Sequence, residues 1–205
     1  MTQFDQLASE ESIDKTIKAL KANGINAEFV ENAQEAKKRV FEILPNGAEV
    51  MNMSSVTLDT TGIATEINES DKYNSVRTKL NAMDRATQGS EMQKLGAAPD
   101  WTIGSVHAVL EDGHVLIASN TGSQLPAYAD GARHVIWVVG TQKIVKNNEE
   151  GMKRIYEYVL PLESVRANKA YNITTGSFVS KILTIDREIN PNRITLIFVN
   201  EVLGF

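Results

Sequence analysis

Two segments of helical period, each followed within a few residues by a short apolar run, open this chain and restrict its fold more than any other feature. In residues 10–23, Ile13, Ile17 and Leu20 fall on one face, acids open the segment, and Gly24 is placed to close it. A strand candidate, 26–30, comes next. Asn32 followed by Glu35 has the spacing of a capping box, and Ala33, Ala36, Val40 and Leu44 then line a helical face until Pro45 stops it. Residues 48–53 form the second strand candidate. Such a helix–strand–helix–strand order predicts a parallel sheet covered by helices.

Further along, periodicity is weak over 62–83, and 84–95 reads as a helix terminated by Gly96-Ala97-Ala98-Pro99. The middle of the chain is rich in strand formers: 101–110, 113–119 and 134–139, with Asp112-Gly113 a strong turn signal. Residues 105–110 fit a strand or a short helix equally. Met152, Ile155, Tyr156 and Val159 make an i, i+3, i+4, i+7 stripe over 149–159, supported by Glu149–Lys153 and Glu150–Arg154 pairs and ended by Pro161. Strand candidates at 179–186 and 194–199 follow. No repeat or low-complexity linker divides residues 1–205, so one α/β domain is expected.

Composition excludes several functions. The 205 residues carry 21 Lys and Arg against 26 Asp and Glu, a net charge of −5, which disfavours nucleic acid as a partner. Cysteine is absent, so disulfides, zinc thiolates, iron–sulfur ligation and thiol nucleophiles within this chain are ruled out. The polar, acidic start MTQFDQLASEE lacks the apolar run of a signal peptide, and nothing approaches a membrane-spanning length. A cytoplasmic protein without membrane attachment is the expectation. His107, His114 and His134 show no metal-ligand spacing, so no metal is expected, and no cofactor is specified.

The chemistry-bearing candidates cluster at predicted strand ends, where open α/β sheets place ligands. The turn Ser119-Asn120-Thr121-Gly122-Ser123-Gln124 separates two apolar runs; its amides and hydroxyls could converge on an anion, or Gly122 could simply serve a tight connection. It matches neither phosphate-loop nor dinucleotide fingerprints. Ser54-Ser55 opens a short helix, as a cap or as part of an anion seat. Lys143 follows the 134–139 strand and is placed to neutralise a bound phosphate or carboxylate. Glu111 is either a strand-end nucleophile or base, or a solvated turn acid. His107 stands four residues before Glu111, within pairing range. Arg154, Glu163 and Arg166 read as an ion-pair group.

Taken in order, Gly104-Ser105-Val106-His107-Ala108, Glu111-Asp112-Gly113, Ala118 to Gln124, Trp137-Val138-Val139-Gly140 and Gln142-Lys143-Ile144-Val145 resemble the lactate-utilisation (LUD) domain family. Ser54 to Leu58 upstream, and Pro161-Leu162-Glu163, Lys181-Ile182-Leu183 and Glu201 to Phe205 downstream, extend the match over roughly residues 10–205. The resemblance implies a Rossmann-like, three-layer αβα fold with a mainly parallel central sheet, related to ribose-5-phosphate isomerase, glucosamine-phosphate deaminase and CoA transferases. It also implies a role in lactate or related organic-acid utilisation, with some members working beside an iron–sulfur protein.

The Glu-Asp-Gly at Glu111 resembles the setting of the nucleophilic glutamate in one class of CoA transferases. Two expectations follow. One is a protein that holds a small anionic metabolite with Ser54, Ser55, Ser119, Thr121, Gly122, Ser123, Gln124 and Lys143, as an enzyme of the CoA transferase or sugar-phosphate isomerase type if Glu111 is catalytic. The other is a non-catalytic subunit serving a separate redox protein. A homodimer is in keeping with the fold.

Overall fold

The computed structural model describes residues 3–205, so the first two residues of the polar N-terminal stretch lie outside it. Six parallel strands form the main sheet: β1 (Asn26–Val30), β2 (Glu49–Asn52), β3 (Asn74–Ser75), β4 (Trp101–Gly104), β7 (His134–Gly140) and β10 (Ile194–Val199), in the order β1-β10-β7-β4-β2-β3. The expected parallel core of an α/β protein is thus what the chain builds. β7 and β10 sit at its centre because both faces of each are apolar. Val135, Trp137 and Val139 join one core cluster, while Ile136 and Val138 join the cluster on the opposite face. Strands buried on both sides read as continuous apolar runs, as these do.

One face is covered by α2 (Ala33–Ile43), α3 (Val56–Thr60) and α4 (Ile63–Glu69), through Ala36, Val40, Leu58, Ile63 and Ile67. The other is covered by α1 (Glu10–Ala22), α5 (Val76–Asn81) and α6 (Arg85–Ala97), together with a second, smaller sheet. Of the caps of α1, α2 and α6, that of Asn32 is the one the sequence announces. Ser9 accepts from the Ser12 amide for α1, Asn32 from the Glu35 amide at 2.9 Å for α2, and Asp84 from the Ala86 amide for α6. The stretch 62–83 resolves into α4, β3 and α5, all too short to show a period.

The second sheet is not visible in the sequence pattern. It contains β5 (Ala108–Leu110), β6 (Val115–Ser119), β8 (Ile144–Val145) and β9 (Lys181–Ile185), ordered β8-β5-β6-β9. β6 runs antiparallel to β5 and to β9, while β8 runs parallel to β5. Val109, Val115 and Ile117 face the main sheet's core; Ala108, Leu110, Leu116 and Ala118 face a third cluster under the long C-terminal helix.

That helix corrects two expectations. It does not stop at Pro161 but continues as α7 (Asn148–Lys153), a π-helical segment (Arg154–Val159) and α8 (Leu160–Tyr171). In the widened turn the Leu160 amide bonds to the Ile155 carbonyl, five residues back. Pro161 then falls in the first turn of a restarted α-helix, where a missing N–H costs nothing. The extra residue also rotates the stripe: Ile155 and Val159 stay buried while Tyr156 is exposed. Arg154 turns inward with them, so it pairs with neither Glu150 nor Glu163. Of the expected ion pairs on this helix, Glu163–Arg166 forms at 2.6 Å and Glu149–Lys153 at 2.8 Å.

Candidate functional site: a cationic cavity at the strand ends

Four adjacent strands of the main sheet, β2, β4, β7 and β10, end on the same side, and the segments that follow them enclose one cavity of about 1300 Å³. Ser54, Ser55 and Thr57 come from the segment after β2, Ser105 and His107 from that after β4, Lys143 from that after β7, and Gly204 and Phe205 from that after β10. The turn after β6, Ser119 to Gln124, the helix residues Ile155, Val159, Glu163 and Arg166, and residues of α5 and α6 that include Arg77 and Arg85 form further parts of the wall. The topology therefore gathers into one cavity all the expected ligand-binding residues: Ser54, Ser55, Ser119, Thr121, Gly122, Ser123, Gln124 and Lys143.

Lys143 is the most deeply buried charged residue of the cavity wall. It sits in a tight 3-10 turn after β7 and is 1% exposed. Its Nζ donates to Ser105 Oγ at 3.1 Å and to Thr57 Oγ1 at 3.4 Å, both neutral partners. Thr57 in turn donates to the Leu203 carbonyl at 3.1 Å, which Gln142 Nε2 also holds at 3.0 Å, so the segment after β10 is tied down against the lysine. Gly204 has φ +61, and a Cβ there would meet Thr57 Oγ1 at 2.6 Å; only glycine leaves the hydroxyl and amine in place. Burial, followed by the nearby Arg154 charge, pushes the Lys143 ammonium well below the usual lysine range.

Arg154 is completely buried. Its Nη1 donates to the His107 carbonyl at 2.8 Å, and its guanidinium lies 5.2 Å from the centre of the Tyr158 ring, but Nε and Nη2 have no acceptor. His107 accepts the Ala118 amide at Nδ1, 3.1 Å away. Its neutral ring thus carries the proton on Nε2, and burial, then Lys143 and Arg154, lower its pKa to about 3. His107 is a neutral donor facing a cationic site, not a partner of Glu111.

The hydroxyl turn is partly self-satisfied. Ser119 Oγ accepts the Gly122 amide at 2.8 Å and donates to Gln124 Oε1, and Thr121 Oγ1 accepts the Ser123 amide at 3.3 Å. Those two amides serve the turn, and Gly122 adopts φ +87 with Lys181 Cδ only 2.7 Å from where a Cβ would stand. The turn contributes a polar wall, while positive charge comes from Lys143 and from Arg77, Arg85 and Arg166, of which Arg166 is paired with Glu163. Ser55 likewise caps α3 through the Leu58 amide at 3.5 Å, whereas Ser54 is exposed.

Glu111 stands elsewhere. Its carboxylate accepts from Ser12 Oγ at 2.7 Å and Lys15 Nζ at 2.8 Å, holding it below the usual carboxylate range, and it does not line the cavity. Glu163 is the cavity's one acid among the described residues, and Arg166 grips it through two bonds of 2.6 and 2.7 Å. No described cluster of three or more His, Asp or Glu could hold a metal ion, and no described helix is long and apolar enough to cross a membrane.

Sequence reasoning passed over Thr57, Ser105, Arg154 and Gly204. A basic residue on the apolar side of a helical stripe was the available signal for Arg154, hidden by the π turn.

No curated protein matches this chain. Among solved structures, a DUF162 family protein from Deinococcus radiodurans is similar with a TM-score of 0.58 and 12% identity, over 95% of this chain and 100% of that one. This likeness bears on the fold alone. The model of the LUD domain matches residues 13–199, and the chain accordingly belongs to the LUD domain family.

Proposed function

We propose that this chain acts as a single LUD domain that binds a small carboxylate- or phosphate-bearing metabolite of lactate or related organic-acid utilisation in the strand-end cavity. The observation that carries this reading is Lys143: a lysine buried to 1% exposure, with only hydroxyl partners, beside a buried Arg154 with two nitrogens unanswered. A buried cation without a counter-charge is costly, and an anionic guest offsets that cost. The hydroxyls of Thr57, Ser105 and Ser54 and the turn Ser119 to Gln124 supply donors around it.

Thermal-shift titration with lactate, pyruvate and inorganic phosphate tests the reading through linkage. A saturable rise in Tm is expected with at least one of them, and Lys143→Met should weaken it by at least about tenfold, as for removal of a buried charged partner. No rise with any of the three, or an unchanged response in a folded Lys143→Met, removes the proposal.

A second reading, a subunit that presents the bound metabolite to a separate redox protein, is favoured by one surface observation. Val165, Tyr171 and Phe178 are 70%, 62% and 58% exposed along α8 and the segment after it, and Tyr171 and Phe178 also line the cavity. With no cysteine in the chain, iron–sulfur chemistry would belong to that partner. Light scattering of the purified chain separates this from a homodimer that covers the same residues itself.

A further inference from the structure

We infer that the metabolite taken by this cavity is a 2-oxo acid, and that the Lys143 amine joins its carbonyl carbon as an imine. The inference rests on the anion-binding reading above and names the substrate class for the same site.

The inventory of reactive groups leads to the lysine. The chain has no cysteine. The one acid lining the cavity among the described residues, Glu163, is engaged twice by Arg166 and cannot readily serve as a base. A serine or threonine nucleophile needs a neighbouring base, and the histidine in the wall cannot supply one: His107 Nδ1 already accepts the Ala118 amide and Nε2 holds the proton. Lys143 remains. It reaches the cavity from a buried turn, has no carboxylate to keep it protonated, and stands against two hydroxyls. Desolvation and a second cationic group are the two surroundings that turn a lysine into a neutral nucleophile.

The neighbours fit the steps of imine formation. Nζ adds its lone pair to the carbonyl carbon, and the carbonyl oxygen takes up a proton to give a carbinolamine. Loss of that hydroxyl as water, with a proton delivered to it, leaves a carbon–nitrogen double bond. Overall, amine and carbonyl combine and one water departs, with no oxidant or reductant. Ser105 Oγ accepts from Lys143 at 3.1 Å, and its hydroxyl is placed to relay the protons that the amine gives up to the departing oxygen. The Nε2–H of His107, also without a protein partner, is a neutral donor of the kind that polarises a carbonyl. A protonated imine restores positive charge beside Arg154. A carboxylate on the adjacent carbon answers the charge at Lys143, which is why the structure favours a 2-oxo acid over a simple aldehyde.

Borohydride trapping on the full-length protein tests this without any substitution. The protein is incubated with pyruvate, 2-oxobutyrate or glyoxylate, reduced with sodium borohydride, digested and mapped by mass spectrometry, with lactate as the non-carbonyl control. The expected result is one reduced adduct on the Lys143 peptide with at least one oxo acid, saturating with its concentration and absent with lactate. Lys143→Arg, which keeps the charge, should still show anion-induced stabilisation but give no adduct. A saturable Tm rise with an oxo acid and no adduct at Lys143 overturns the inference and leaves the anion-binding reading standing. An adduct spread equally over surface lysines such as Lys153 also overturns it. Absence of both stabilisation and adduct brings down the two together.

Discussion

Arg154 donates from Nη1 to the main-chain oxygen of His107 at 2.8 Å, fixing the segment after β4 against the π turn of the C-terminal helix. The same guanidinium keeps two nitrogens, Nε and Nη2, without an acceptor in complete burial. Its role is therefore electrostatic as well as architectural: it sets the positive potential in which Lys143 sits. π turns recur at functional sites, and here the widened turn is what brings a basic residue inward.

Replacing Arg154 by Met removes a desolvated charge and retains a side chain of similar length. Apolar replacement of a buried ion is often neutral or stabilising, offset here by the orphaned His107 carbonyl. Urea denaturation should show a change within about 1 kcal/mol, while the Lys143 amine, relieved of a like charge, titrates at higher pH. Competitive labelling of Lys143 across pH reads that shift; a loss of stability above about 3 kcal/mol would show the guanidinium to be well paired.

Acid should weaken the fold before its carboxylates titrate. His107 has a folded pKa of about 3 against 6.5 unfolded, so below pH 6.5 the unfolded chain binds the extra proton. Its contribution is fully present above that value and is lost as pH falls toward 3. Between pH 6.5 and 4.5 the slope should approach about 1.4 kcal/mol per unit. His134, also lowered by partial burial, adds in the same sense. His107→Gln should flatten most of the slope in denaturation curves at pH 7, 6 and 5; an unaltered slope would assign it to other groups.

Gly104 ends β4 under the phenol of Tyr128, where a Cβ would lie 1.8 Å from the hydroxyl oxygen and 3.3 Å from Met53 Cβ. Tyr128 is 1% exposed and packs edge-on against Trp137, so it has little room to yield. Gly104→Ala should cost about 1–3 kcal/mol by overpacking. Tyr128→Phe in the same chain should recover part of the loss, because the closest clash is with the hydroxyl. Thermal melts of the single and double variants decide it.

Glu111→Gln should leave anion-induced stabilisation as it is in the parent chain. The carboxylate bonds to Ser12 and to a largely exposed Lys15, so its removal carries only a small stability loss. Abolished ligand response in the folded variant would return Glu111 to the site.

Much of this was legible along the chain. The faces of α1 and α2, the Asn32 cap, the apolar runs of β7 and β10 and the strand-end hydroxyls all follow from period, capping and turn chemistry, which depend on neighbours within a few residues. Because parallel strands deliver their following segments to one side, even the gathering of Ser54 and Lys143 in one cavity was within reach of sequence reasoning. Folding in three dimensions decided the rest. The pairing of β6 with β9 joins residues more than sixty positions apart, and only that register carries the hydroxyl turn to the cavity. A π turn inverted the surroundings of Arg154, and Ser12 and Lys15 hold Glu111 away from the cavity. Burial and unanswered charge are properties of what surrounds a side chain, and those surroundings exist only once distant segments meet.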